Sequence, residues 1–549
     1  MRIDERMHRA FQEEMAALEN FRISYAALYP STPLERNDPD VKRLMEAMAF
    51  FGARSRLAAE SHVLAMRQRL FHQFFDYLLS PAPAMALLQA KPTGQFAEAL
   101  TMPAGSEFLV SVPDGRQAFF RLLCDLRLLP LSVKGVSTLP GPGLGYRVLL
   151  RMASPFVQRG DMGLLPVHIS HMNDFRDSMG LLHTLKRHLQ KASVVYGDTV
   201  DEGSQGLVCS VHFGMKSFSG TEENGEPVTH PMERERFCVH LPQQDLFMNV
   251  QIPPSPEGWK SFTLCLDMDE GWPRNLVLHA DMFQLFVAPV MNLKKAFAHP
   301  VHCEGLRERY ALFHPQPEYG FALHSVKGVY EIQKEGLRPL MPGVLSGGSG
   351  SYEMDYVPAD AKGTKALILN FPEAFDGGRQ IAVEGLWHQP WISRFMGQKL
   401  AIIPFTRQLS GVQWDWVGPG KGFCENPFLQ QMDGALQLVT LMNKTMLNVE
   451  DIRVLLAATG MAGTPEYAEA MVRLADVRCE HTPCRTPSGS TLMKQVYVLC
   501  FHDAVGGLIP LLESFRLHVE RILNAWVADT VVEVEMETEG AWDQKGRAV

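Results

Sequence analysis

Apolar residues between Met7 and Leu28 return at helical spacing, at Met7, Phe11, Met15, Leu18, Phe21, Tyr25 and Leu28, and Pro30 ends the run. A second helix starts at a clear signal: Asp38 caps it, Pro39 suits its first turn and Asp40 favours its positive end. Val41, Leu44, Met45, Met48 and Phe51 fall on one of its faces. A third helical segment, His62 to Leu79, carries Leu70, Phe71, Phe74, Phe75 and Leu78 before the break at Ser80, Pro81 and Pro83. These helices hold more aromatic side chains than lone surface helices need. They must pack on each other or on another subunit.

From about Met85 the pattern turns to short apolar or alternating runs punctuated by glycine and proline, as in Glu107 to Val112, Ala118 to Leu123 and Tyr146 to Met152, which predicts antiparallel sheet. Loops are expected at Leu139 to Gly145, Asp201 to Gly206, Gly220 to Pro227 and Ser346 to Ser351. Beyond Phe423 helical spacing returns, with Leu436, Leu438, Leu441, Met442 and Met446 on one segment and Ile452, Leu455 and Leu456 on the next. The end predicts two strands, near Val477 and over Leu492 to Phe501, then a helix from Gly507 to Trp526 and a last strand, Thr530 to Met536. In that strand Glu533, Glu535 and Glu537 alternate with Val532, Val534 and Met536, so one face is solvated and the other buried. The fold class is therefore α+β and multidomain. The expected division is a helical region over 1–95, β-rich domains over 96–300 and 301–422, and an α+β unit over 423–549.

Several stretches resemble one family. YPSTPLERNDPDVKRLMEAMAFFGAR (Tyr29 to Arg54), LLSPAPAMALLQ (Leu78 to Gln89), MPAGSEF (Met102 to Phe108) and CDLRLLPLSV (Cys124 to Val133) stand in its order. LFVAPVMNL (Leu285 to Leu293), LRERYALFHP (Leu306 to Pro315) and LHSVKGVYEI (Leu323 to Ile332) look like its central signature. The family is TssF, also called ImpG or VasA, of the type VI secretion baseplate. The resemblance implies a wedge subunit similar to the J-like wedge proteins of contractile phage tails. It implies two copies joined to one TssG, contacts with TssK and TssE, a place around the VgrG hub, and a role in templating sheath and tube. A cytoplasmic baseplate docked at the inner membrane would be its setting.

Composition agrees with a folded, multidomain protein. The 549 residues are 46% hydrophobic and 21% charged, enough to bury several cores. With 52 basic and 61 acidic residues, a net charge of −9 and no basic stripe, nucleic acid is not expected as a partner. Met1 to Met15 alternates charged and apolar residues, so no signal segment is expected there, and no stretch has the length of a bilayer span. The nine cysteines are widely and irregularly spaced, as reduced and mostly buried thiols would be.

The search for chemistry finds little. GPGLG (Gly141 to Gly145) and GPGKG (Gly418 to Gly422) lack the spacing and the Ser or Thr of a phosphate loop and read as turns. SGGSGS lacks the pattern of a nucleophile elbow. Cys479, His481 and Cys484 could hold part of a zinc shell, completed by Cys500 or His502. Their spacing is not the usual Cys-x-x-Cys pair, so ordinary strand and loop residues are the expectation, with no cofactor. His299, His302 and Cys303 are read as structural, and Asp267, Asp269 and Glu270 as turn carboxylates instead of an acid and base pair. A metal-dependent or hydrolytic enzyme near residues 479–502 is the alternative reading. A carbohydrate-binding sheet protein is a third, opposed by the missing signal segment.

Overall fold

The computed structural model describes residues 5–31, 38–141, 145–197, 204–214, 230–256, 258–305, 309–343, 350–356, 365–371, 377–405, 409–425, 432–485, 491–502, 506–527 and 530–538. Most of SGGSGS, the loop at 220–227 and the first half of 201–206 lie outside these residues. Eight α-helices are described: α1 (Glu5–Leu28), α2 (Pro39–Leu79), α3 (Phe175–His188), α4 (Pro231–His240), α5 (Met432–Leu441), α6 (Val449–Ala458), α7 (Ala468–Arg473) and α8 (Ile509–Trp526). The chain divides into two compact units. One runs to Asp76 and takes in most of α5; the other begins at Tyr77.

The helical unit corrects one expectation. The second and third helical segments lie in one helical run, Pro39–Leu79, which is continuous as far as Phe74 and kinked at Phe75. Nothing between Phe51 and His62 breaks it, because Ala53, Arg54, Arg56, Leu57, Ala58 and Ala59 are strong helix formers and outweigh Gly52. Its one non-helical residue is Phe75, at φ −135° and ψ 37°. Asp38 caps the start as expected, its carboxylate accepting from the Asp40 N–H at 2.9 Å.

In the second unit two sheets share one core. The six-stranded sheet runs Ala401–Pro404, Glu107–Ser111, Gln117–Leu122, Val287–Met291, Met85–Pro92, Val412–Lys421, so it joins segments from both sides of residue 300. The eight-stranded sheet runs Phe283–Leu285, Leu164–Ile169, Phe247–Gln251, Leu207–Phe213, Leu189–Tyr196, Trp259–Met268, Tyr146–Gln158, Ser132–Pro140. Leu88, Phe108, Phe120 and Val290 of the first pack in one cluster with Leu150, Val167, Val194 and Leu264 of the second. A smaller core, built on Val329, Leu367, Ile381 and Trp387, fills the region of residues 294–388. GPGKG is not a turn: it ends the strand Val412–Lys421, where the register jumps from Leu87↔Val417 to Met85↔Lys421. Gly418 takes φ +66° there, and a Cβ on Gly420 would meet Met396 Cε at 2.3 Å, so glycine permits the bulge.

The C-terminal residues form a three-stranded sheet, Leu474–Arg485, Thr491–Phe501 and Val531–Thr538, with α8 against the last strand. The first pair is antiparallel and the second parallel. Val532 and Val534 are buried and Glu535 exposed, the alternation that the sequence predicts. Arg521 of α8 lies 3.1 Å from Asp245, and buried His518 sits between Glu235 and Asp245, at 3.6 and 3.4 Å. Among the described residues no helix is long and apolar enough to cross a membrane.

Candidate assembly surface

The surface with the most unspent apolar area is on α1 and α2. The two helices meet where Arg56 pairs with Glu13 at 2.9 Å and a Cβ on Gly52 would come within 3.3 Å of Glu14 Oε2. Around this contact the buried positions are small, Ala10, Ala49 and Ala53, and further along α2 Phe71 and Phe75 are buried as well. Other large side chains stay outside, with Leu28 74%, Phe51 66% and Met66 65% exposed, and Phe21, Leu44 and Phe74 more than half exposed. Fully burying one such side chain is worth about 1.5–3 kcal/mol, so this face is far from its free-energy minimum in a lone chain.

The way out of α2 is built differently. Leu78 to Ala84 are all buried. Their backbone carbonyls are met by buried side chains of the second unit: Arg236 donates to Tyr77 O and Ser80 O at 2.8 Å each, and His324 Nε2 lies 2.9 Å from Pro81 O. Burial lowers the Arg236 pKa to about 10 and pushes that of His324 well below its ordinary value, with His388 and Lys365 adding to the fall. A second buried node joins the first β-rich region to the next. Gln389 Oε1 accepts from Phe119 N–H at 2.8 Å, its Nε2 donates to Gln117 O and Tyr319 O, and Asn292 Oδ1 accepts from Gln389 N–H at 2.6 Å. Asn292 in turn donates to Phe119 O at 2.8 Å. Sequence reading singles out none of these residues. Asn292 does fall inside the LFVAPVMNL segment, as the lone amide at the end of an apolar run.

The residues singled out for chemistry are scattered. Cys479 and His481 are two apart and share a face of their strand, paired in register with Tyr497 and Gln495, and Cys484 pairs with Leu492. Burial raises the Cys479 thiol, and His481 is exposed. Cys500 accepts from Arg478 at 3.4 Å, and the His502 N–H bonds Arg473 O. Among the described residues no three His, Cys, Asp or Glu side chains gather as a metal requires. Cys303 is buried and accepts from the Tyr310 hydroxyl at 3.3 Å. His299 and His302 rim an open groove of about 560 Å³ with Arg309 and Phe313. Asp267 is not a solvated turn carboxylate. It lies in a strand and takes two bonds from buried Arg147, at 2.6 and 3.1 Å. Asp269 binds His188 at 2.7 Å, and that bond lowers its pKa.

Comparison with solved structures finds the same fold. A chain of a type VI secretion TssK–TssF–TssG baseplate subcomplex, seen by cryo-electron microscopy, superposes with a TM-score of 0.73 over 93% of this chain and 98% of its own, at 16% identity. A chain of a type VI secretion baseplate complex superposes at 0.57 over 97% and 96%, also at 16% identity. Among curated proteins no sequence matches. The family model for "Type VI secretion system, TssF" matches residues 3–343, a span that runs from α1 and α2 through the buried segment Leu78 to Ala84 to the central signature segments, and the chain belongs to that family.

Proposed function

We propose that this chain is a structural wedge subunit of the type VI secretion baseplate. Two copies join one TssG, the trimer carries TssK and contacts TssE, and the assembly surrounds the VgrG hub to template sheath and tube at the inner membrane. Family membership and the fold support the general role. The observation that carries the mechanism is the row of large apolar side chains left outside on α1 and α2. Helices joined through alanine and glycine, with phenylalanine, leucine and methionine turned outward, are suited to completing a bundle with helices of other chains. On this reading the protein works by holding neighbours at fixed positions.

Co-expression with TssG and TssK, followed by native mass measurement, tests the proposal. The expected species contains two copies of this chain per TssG. Failure of the chain to co-purify with TssG at low salt overturns it.

A further inference from the structure

The three-stranded C-terminal sheet treats its two outer edges differently. On the Val531–Thr538 side, α8 fills the bonding positions: Asn524 accepts from the Val532 N–H at 3.0 Å and donates to Val532 O at 2.8 Å, and Arg516 donates to Val534 O at 2.6 Å. On the Leu474–Arg485 side the ladder fixes which groups point outward. The His502 N–H bonds Arg473 O, so after the register shift at Leu474/Asp476 the residues facing the neighbouring strand are 476, 478, 480 and 482. Val477, Cys479, His481 and Pro483 therefore face away, and Pro483, which has no N–H, confirms the phase because a ladder tolerates proline only there. Among the described residues nothing bonds the outward backbone groups of Val477, Cys479 and His481.

We propose that this open edge pairs antiparallel with the same edge of a second copy of this chain, about a two-fold axis at Cys479. That register places Arg478 opposite the partner's Glu480 and Glu480 opposite the partner's Arg478. Both pairs occupy non-hydrogen-bonded sites, where facing Cβ atoms come within about 4.5–5.5 Å and opposite charges attract. Cys479 exchanges both backbone bonds with its own counterpart, and Val477 does so with the partner's His481. Arg478 and Glu480 are both exposed; Arg478 pairs with solvated Glu537 within its own sheet, and the register exchanges that exposed partner for Glu480 of the second copy. Pro483 ends the pairing, so the contact is short and adds to an assembly instead of creating one alone. The inference rests on the two-copy reading above and assigns one contact within it.

The test is disulfide trapping in the full chain. In a Cys479→Ser chain, which removes the native thiol at the axis, Arg478→Cys/Glu480→Cys, oxidised with copper–phenanthroline as a mixture of light and isotope-labelled chains, should give a covalent dimer at least about tenfold above Cys479→Ser alone, through mixed-label 478–480 peptides. His481→Pro on that background removes an outward N–H but no bond of the folded sheet, as Pro483 already shows, and should cut the yield at least about fivefold. A yield no higher than Cys479→Ser alone, or one that His481→Pro leaves unchanged, overturns the edge pairing. Native mass of the complex with TssG separates the causes. Two copies without trapping sink this contact alone, whereas a single copy sinks the reading beneath it.

Discussion

The helical unit and the β-rich unit solve opposite problems with the same kinds of residue. In the helical unit the close contacts are made by Ala49, Gly52 and Ala53 while Phe51 and Met66 face solvent; in the β-rich unit Phe108, Phe120 and Trp387 are inside. The β-rich unit also buries polar groups and pairs them with one another at Asn292 and Gln389. On the proposed function, the β-rich unit is finished within the chain and the helical unit by what it meets.

The largest expected effect tests the unfinished unit. Leu44→Ser, Met48→Ser and Phe51→Ser together should reduce recovery of the complex with TssG about a hundredfold or more, since central apolar anchors are worth about 2 kcal/mol each. The same triple variant should leave the unfolding free energy of the free chain within about 0.5 kcal/mol per substitution. A large fall in the thermal midpoint of the free chain would place those side chains in an internal core and break the comparison.

For the β-rich unit, Gln389→Leu removes the acceptor of the Phe119 N–H and the side-chain donor to Gln117 O, while Trp391 still donates to Tyr319 O; it should cost about 2 kcal/mol or more, read as a lowered thermal midpoint. Acid should act on this unit too. Burial lowers the pKa of His168 and His240 to about 4 and that of His388 to about 3. The folded chain thus keeps these imidazoles neutral while the unfolded chain protonates them near pH 6.5, so their share of stability is complete above that pH and declines as pH falls toward 4. Each contributes up to about 1.4 kcal/mol per pH unit across that window, seen by melting near-ultraviolet circular dichroism at stepped pH. The smallest effect belongs to Arg56→Ala, a barely measurable drop in the thermal midpoint that salt erases, because its partners Glu13 and Glu60 are solvated.

Where periodicity reports one dominant force, the sequence reads directly as structure. The α8 helix, the two strands before it and the Val532/Val534 alternation after it follow from spacing alone, because one face must leave water. The union of the second and third helical segments escapes such a reading, since a turn of alanines and arginines between two apolar faces leaves no hydrophobic mark yet propagates a helix well. Asp267 escapes it for another reason: its partner Arg147 is 120 residues away in sequence, and only the strand register brings them together. The apolar faces of α1 and α2 are legible as faces. Whether their partner is the same chain cannot be read from spacing, because the pattern of a covered stripe is the same whichever polypeptide covers it.

Asn524 and Arg516 have a consequence beyond the helix that carries them. A ribbon open on both flanks could recruit copy after copy and grow into a fibre. With one flank stoppered by its own side chains, each molecule has a single berth to offer, and two berths that meet are both used up. The stopper therefore acts as a counting device, which lets this sheet keep one exposed flank without inviting aggregation.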